Sequence, residues 1–403
     1  FLQSAVEEGI DVILELSEFK QNGRCRQLIV AGCMVKRYRS ELEVELPEVD
    51  HFVSVDEISD VAKLASNRMR EVLRDAGRPY FLYDDSMPRC VSTPQHMAYV
   101  KIAEGCNRPC TFCIIPKIRG AMRSREIDSI VREVQELAAS GVREVNLLAQ
   151  DLTSFGTDRT SAGNRREGLA DLLHALDRSA AVDWIRLLYA YPVGIDQELL
   201  TAIRDLPSVV NYLDVPLQHA DLSVLRAMQR PLGKLSPRAL VESIRLQYPE
   251  IALRTTFIVG FPGETEDSVV ELEEFIAEGH FSSVGVFTYS PEVGTPAYDM
   301  PGQVAANEKQ LRYERLMQAQ QRVVSARNDS MLGSKHKVLV EGTHTDTELL
   351  LAGRAEFQAP EVDSCVIINE IDEGRPQPSA GDFVTVQISD VAGYDLVARM
   401  IAN

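Results

Sequence analysis

No apolar run in the 403-residue sequence approaches the ~20 residues that a membrane-spanning helix needs, and no secretory leader pattern opens the chain. Neither a spanning helix nor a membrane partner is expected. The chain is also short of bases, with 42 Lys and Arg against 60 Asp and Glu and a net charge of −18. That balance offers no long-range attraction to nucleic-acid phosphates and points to a basic partner, although a local basic patch could hide in an acidic total. An initiator Met is missing as well. Phe1-Leu2-Gln3-Ser4-Ala5 reads as the middle of an element, so a truncated amino end is expected. The seven cysteines are clustered rather than evenly spread, which suits a reducing compartment and a cytoplasmic location. The 45% apolar and 25% charged fractions are those of an ordinary globular protein, long enough for two to four domains.

Three of the cysteines, Cys106, Cys110 and Cys113, fall within eight residues in the stretch Gly105-Cys106-Asn107-Arg108-Pro109-Cys110-Thr111-Phe112-Cys113. Three thiols this close cannot all pair as disulfides, because one is left over. A structural zinc site normally takes four protein ligands, and no second CxxC or HxxxH pair follows downstream. Iron–sulfur clusters are usually held by four cysteines; three would leave one iron open to a ligand that is not protein.

Before this stretch, residues 1–50 read as helix, strand, helix. Ser4–Leu16 has helical apolar spacing, Leu28–Ala31 is a short buried strand, and the chain looks helical from Lys36 onward. Cys33, beside Gly32 at the strand's end, either lines a site or is a plain buried cysteine. Asp56–Ala76 reads as an amphipathic helix, and residues 78–94, with three prolines, as a linker.

After it, strand-like and helix-like runs alternate. The strands are expected at Met97–Ile102, Glu144–Ala149, Trp184–Ala190, Tyr212–Leu217, Ile251–Val259 and Ser283–Tyr289. The helices are expected at Ile127–Ser140, Leu169–Arg178, Gln197–Asp205, Asp221–Gln229, Pro237–Gln247 and Glu266–Gly279. Six βα units imply an α/β fold with a parallel sheet, closed as a partial (β/α)6 barrel with its chemistry at the carboxyl ends of the strands. Polar stretches punctuate those ends: Gln150-Asp151, Gln218-His219 and Gly260-Phe261-Pro262-Gly263-Glu264. A long polar helix, Glu308–Ser330, leads to short strands around Val338–Val340, Val366–Ile368 and Phe383–Val386, read as a small antiparallel barrel. From Lys335 on there are twelve acids and five bases, a net of −7. That is the wrong sign for gripping phosphates, and is either a contact surface or an ordinary solvated one.

CxxxC-aromatic-xC, with Phe112 as the aromatic, resembles the signature of the radical S-adenosylmethionine (SAM) enzymes. The whole chain is similar to the radical-SAM methylthiotransferases, which have an amino-terminal cysteine-bearing domain, a radical-SAM barrel and a TRAM barrel. The domains are then expected at residues 1–90 (incomplete), 95–331 and 334–403. Within that family, four stretches resemble the RimO-like branch, which acts on an aspartate of a small-subunit ribosomal protein, rather than the MiaB-like branch, which acts on tRNA. They are Ala149–Gly156 (AQDLTSFG), Val215–His219 (VPLQH), Tyr289–Thr295 (YSPEVGT, with Glu292) and Ala359–Asp363 (APEVD). Glu292 and the acidic barrel agree with a basic protein substrate; the tRNA reading would want a basic surface.

The resemblance implies two 4Fe-4S clusters. Cys106, Cys110 and Cys113 would bind the first, whose open iron takes SAM; Cys33, in GCMVKRY, would be one ligand of an auxiliary cluster whose other cysteines precede Phe1. It further implies an electron donor, reductive cleavage of SAM to a deoxyadenosyl radical, hydrogen removal from the aspartate β-carbon, and a second SAM as methyl source. Gln150, Gln218, Arg254 and Glu264 are the candidates for gripping SAM, and His219 either donates a proton or shapes its loop. Cys25, Cys90 and Cys365 match no family position and read as structural. A colourless zinc-stapled scaffold that binds ribosomal proteins is the competing non-enzymatic reading.

Overall fold

The computed structural model describes residues 3–66, 81–159, 167–230, 233 and 235–402. These form two compact units that interleave along the chain.

The first unit comprises Phe1–Tyr83, Glu104–Met122 and Ser290–Met300. Helix α1 (Gln3–Asn22) is followed by β1 (Ile29–Gly32), α2 (Cys33–Glu45) and β2 (His51–Ser54). The strands β1 and β2 pair in parallel, Ile29 opposite His51 and Gly32 opposite Ser54. Ile13, Leu28, Val35, Leu42 and Phe52 make the core beneath them. Helix α2 begins at Cys33, three residues earlier than its composition suggested. Gly32, at φ 134°, ends the strand and lets the helix start at once. The expected Asp56–Ala76 helix is a 3-10 turn, Ile58–Asp60, running into the short α3 (Val61–Ala65); its residues from 67 on lie outside the described set. Helix α4 (Ile115–Arg119) follows the cysteine stretch directly.

The second unit comprises Asp84–Ala103, Arg123–Tyr289 and Pro301–Asn403. Between β3 (Met97–Lys101) and the helices lie the two-residue strands β4 (Ala103–Glu104) and β5 (Arg123–Ser124). The main strands are β3, β6 (Glu144–Leu148), β7 (Trp184–Leu187), β8 (Val209–Asp214), β9 (Ala252–Val259) and β10 (Ser283–Thr288). They form one parallel sheet in the order β10-β9-β8-β7-β6-β3, the sequence order expected of a partial barrel. Helices α5 (Ile127–Ala139), α6 (Leu169–Ser179), α7 (Gln197–Asp205), α8 (Leu222–Ala227), α9 (Pro237–Gln247) and α10 (Glu266–Ala277) separate them. Sequence caps fix several starts: Asp196, Ser236 and Thr265 each accept a backbone N–H three residues on. Along β9 the alternation is regular. Leu253, Thr255, Phe257 and Val259 are buried, and Phe257 packs on Phe275 of α10; Arg254, Thr256 and Ile258 are half-buried on the other face.

Strand β8 lies three residues earlier than expected. Val215 and Leu217 extend the apolar run and are buried, but the chain there already curves toward Gln218.

Helix α11 (Ala306–Ser330) leads to a closed barrel of β11 (Lys335–His344), β12 (Thr347–Ala355), β13 (Val366–Ile371), β14 (Phe383–Ala392) and β15 (Asp395–Met400). The barrel is not wholly antiparallel, since β13 and β15 run parallel. Its core includes Val338, Val340, Val366, Val386 and Leu396. Residues of the sheet and barrel share a second core, Trp184, Tyr212, Leu339 and Ala359 among them. Trp184 meets Phe383 edge-on at 4.8 Å, a contact worth about 0.5–1.5 kcal/mol.

Candidate active site

Two groups of side chains stand out, one in each unit. In the first unit the chain from Gly105 to Cys113 has no helix or strand, and other bonds hold it. Cys106 N–H donates to Gly120 O (3.1 Å), and Asn107 Oδ1 accepts from Met122 N–H (3.0 Å). Gly105 sits at φ 84°, and a Cβ there would lie 2.3 Å from Ala121 O, so no other residue fits. Cys106 and Cys110 are buried and Cys113 half-buried. Cys113 N–H bonds Cys110 O (3.1 Å), and Arg108 N–H points at Cys106 Sγ (3.4 Å). A backbone N–H aimed at sulfur is the kind of contact that orients a cluster ligand.

Among the described residues no three Cys, His, Asp or Glu side chains converge on one ion-sized point. That geometry is what a single zinc ion demands. Three thiolates that each bind a different iron of a cluster have no need to converge so closely, and the donor set fits such a group.

Cys33 belongs to the same neighbourhood. Burial pushes its thiol above the ordinary value, the Arg119 guanidinium pulls it back, and Glu104 adds to the rise. Arg119 in turn pairs with Glu104 (3.4 Å). Arg37, one turn beyond Cys33 on α2, reaches Glu292 (3.3 Å) and Val293 O (2.6 Å), and Lys117 of α4 donates to Gly294 O (2.6 Å). Glu292 is therefore an internal anchor: it also accepts from Gln3 N–H and Ser290 Oγ and is 5% exposed. A role for it as an acidic contact for a basic partner is corrected by this burial. Sequence reasoning missed Arg37, Lys117 and Arg119; the signal was their place on helices that start at or just after a cysteine.

In the second unit the polar strand ends come next. Half-buried Gln150 follows β6, and Asp151 caps the 3-10 turn Leu152–Ser154 by accepting Ser154 N–H (3.2 Å) and Thr153 Oγ1 (2.8 Å). Gln218 has a left-handed backbone, φ 73°, fixed by bonds to Thr256 O and from Ile258 N–H (both 2.8 Å). Its Oε1 is buried and has no hydrogen-bond partner among the described residues. Strain together with an unmet buried acceptor suits a residue that waits for a ligand donor. Arg230, stacked 4.3 Å over Tyr191, bonds Pro216 O and braces this loop.

Arg254 is already engaged, by Asp214 (3.0 Å) and Asp363 (3.6 Å). Burial raises the Asp214 carboxyl above its usual range, and Arg254 only partly offsets this. A ligand carboxylate at Arg254 would share it with two acids.

Glu264 offers no side chain to a ligand. It is fully buried, both oxygens accept Gly260 N–H (2.9 Å each), and Arg312 adds a 2.7 Å pair. His219 Nδ1 accepts Asp221 N–H (3.0 Å), so its proton sits on Nε2, 3.4 Å from Glu264. His219 thus shapes the loop. Gly260, at φ 74°, has Lys309 Cγ 2.3 Å from where a Cβ would be. Burial pushes the Glu264 carboxyl up, but His219, the Gly260 amide and Arg312 outweigh it and leave it below the ordinary value. A depressed carboxyl stabilises above its unfolded pKa, and that contribution fades as pH falls through the folded one. Glu264→Gln is expected to cost about 3 kcal/mol, read as a lower melting temperature at pH 7 with a smaller gap from wild type in acid.

The sequence matches the Radical SAM superfamily over residues 100–276 and the TRAM domain over residues 332–401. It is 45% identical, over 100% of its length and 88% of the relative's, to a protein of Geotalea uraniireducens (strain Rf4). It is 46% identical to one of Anaeromyxobacter sp. (strain K), covering 84% of it, and 44% to one of Geobacter sulfurreducens, covering 88%. All three are named ribosomal protein uS12 methylthiotransferase RimO. The chain belongs to the RimO family. RimO membership, with the radical-SAM match, implies a 4Fe-4S cluster and SAM, and the donor set of the cysteine stretch fits such a cluster. Among solved structures, the radical SAM methyltransferase TsrM from Kitasatospora setae shares the fold, with TM-score 0.54 and 16% identity over 73% of this chain and 62% of that one. No helix among the described residues is long and apolar enough to cross a membrane.

Proposed function

We propose that this RimO-family chain is a cytoplasmic radical-SAM methylthiotransferase that adds a methylthio group to the β-carbon of an aspartate in ribosomal protein uS12. Full-length identity with proteins named for that activity carries the reading. Cys106, Cys110 and Cys113 would hold the cluster, which when bound supplies the electron that cleaves SAM. The residues around them keep the thiols oriented: Gly105 allows the close turn and Asn107 pins its far side. Gln218 Oε1 accepts a hydrogen bond from SAM, and Gln150, past the end of β6 two strands away in the sheet, is the second candidate; Arg254 acts through its pair with Asp214. Cys33 is one ligand of an auxiliary cluster, and an external donor provides electrons. The domains divide at residues 1–90, 95–331 and 334–403, and tRNA is not the substrate.

The test offers uS12 and unmodified tRNA side by side to protein with reconstituted clusters, SAM, sulfide and reductant. A methylthio mass gain on a uS12 aspartate is expected. A gain on tRNA alone would overturn the proposal.

A further inference from the structure

Among the described residues, Ala180, Tyr189, Gln218, Gln229 and Glu361 are the non-glycines with a left-handed backbone. Ala180 and Gln229 follow helices α6 and α8, where such a turn is ordinary. Tyr189 and Gln218 lie past the carboxyl ends of β7 and β8, which are neighbours in the sheet. Tyr189 alone of the group is aromatic. A bulky residue at φ 65° is costly and persists only where its surroundings hold it.

The hold comes from the next strand. Asp214, 1% exposed at the end of β8, accepts Tyr189 N–H at Oδ2 (3.0 Å) and pairs with Arg254 at Oδ1 (3.0 Å). Tyr189 O accepts Leu152 N–H (3.2 Å), and Ala190 N–H bonds Asp214 O (2.9 Å). A buried carboxylate is itself costly, so two unfavourable features support each other at one strand end.

The turn re-aims a side chain. Along β7, Trp184 and Arg186 share one face, where Arg186 stacks 4.8 Å from the Tyr212 ring; Ile185 and Leu187 are wholly buried on the other. Continued alternation would put Tyr189 with Ile185 and Leu187. The left-handed backbone breaks that alternation, and Tyr189 is 49% exposed. Burial and the Asp214 carboxylate push its phenol above the ordinary value while Arg254 pulls it back, so the ring lies near that pair. Its hydroxyl makes no hydrogen bond among the described residues. Strain that served the fold alone would not leave an aromatic ring half in solvent with its polar end unused. Arg254 is already shared by Asp214 and Asp363, which leaves it little charge for an arriving carboxylate. A neutral O–H can meet one without a further buried charge, and O–H···O⁻ bonds are short and strong.

We propose that the Tyr189 O–H donates a hydrogen bond to the carboxylate of the target aspartate and thereby sets which carbon of that side chain is presented for hydrogen removal. The inference rests on the uS12 reading. It places the protein substrate at the end of β7, beside the strand end where Gln218 is proposed to hold SAM.

The test compares Tyr189→Phe with the unaltered enzyme, both cluster-loaded, on uS12 alone and within the small ribosomal subunit. Phenylalanine keeps the ring and the turn and removes only the hydroxyl, so the melting temperature should stay with that of the unaltered enzyme. The kcat/KM for methylthio transfer should fall about tenfold or more, as expected for a lost hydrogen bond to a charged group. Deoxyadenosine made per methylthio group added should rise about threefold or more, because a misplaced carbon is missed after SAM is cleaved. Tyr189→Asn, a residue that tolerates the left-handed turn, removes the ring as well and should lose at least as much. Unchanged kcat/KM and coupling in Tyr189→Phe overturn the contact and leave the proposed activity standing. Loss of deoxyadenosine and methylthio product in step also overturns it, since that marks a merely structural role. An equal rise in the dissociation constant for SAM, measured without uS12, overturns it too, because the hydroxyl then serves SAM. Unaltered enzyme that adds no methylthio group to uS12 overturns the contact and the proposed activity together.

Discussion

Cys110→Ala is expected to strip the enzyme of its SAM-binding cluster and bring deoxyadenosine formation down to the level seen without enzyme. Cys110 is buried, and its carbonyl takes the N–H of Cys113, so the loop's geometry and its sulfur are set by the same residue. Alanine keeps the carbonyl and removes only the sulfur. The loop then remains folded while one iron loses its ligand. Loss of an outer partner of a metal site costs about 10–100-fold in affinity or activity, and loss of a ligand costs more. Two readouts separate this from general damage. Iron and acid-labile sulfide should fall, and the brown colour should fade, before any assay of turnover. Cys90→Ala, at an exposed cysteine outside the stretch, should retain iron and rate. Full deoxyadenosine formation by the Cys110 variant would sink the cluster assignment.

The residues that made this loop legible in sequence are the ones that act locally. CxxxCxxC spacing, a glycine before it and a proline within it require no knowledge of distant parts of the chain. The helices α7 and α9 were legible for the same reason, since an Asp or Ser cap and an apolar stripe lie within one stretch. What stayed hidden depends on partners far along the chain. Glu292 reads as an exposed acid until Arg37, 255 residues away, is placed beside it. Glu264 and Arg254 read as ligand-binding until their charges are found already matched by Arg312, Asp214 and Asp363. Strands β2, β12 and β15 lacked strong alternation and were recognisable only once a neighbour paired with them. Strand-end position was a sound guide to where polar groups gather; it could not show which of them remain available.

Glu144→Gln is expected to be the most destabilising single substitution in the sheet-and-barrel unit. Glu144 is fully buried between two arginines: Arg186 Nε lies 2.8 Å away, and Arg354 of the small barrel bonds both of its oxygens. Arg354 also takes Glu341 (2.7 Å), and Arg186 takes Glu356 O (2.6 Å). Glutamine preserves shape but removes the charge, which leaves the buried Arg354 guanidinium with Glu341 alone and that of Arg186 with the Glu356 carbonyl. Breaking a buried pair from one side costs about 3–5 kcal/mol, a fall in melting temperature on the order of 10 °C. The pH dependence gives a second check. Burial pushes the Glu144 carboxyl up, but the two arginines pull harder and hold it below its ordinary value; Glu341 is lowered in the same way. The stabilisation from such a carboxyl is complete above its unfolded pKa, near 4.3, and is lost as pH falls through the lower folded value. Wild type should therefore lose stability steeply below about pH 4, and the glutamine variant less steeply, so the two curves converge in acid. Urea unfolding at several pH values measures this. Replacing Glu144, Arg186 and Arg354 together by apolar residues of similar volume should restore much of the loss, because well-packed apolar groups carry no desolvation penalty. A triple variant no more stable than Glu144→Gln would mean that the network fixes the fold rather than merely neutralising itself.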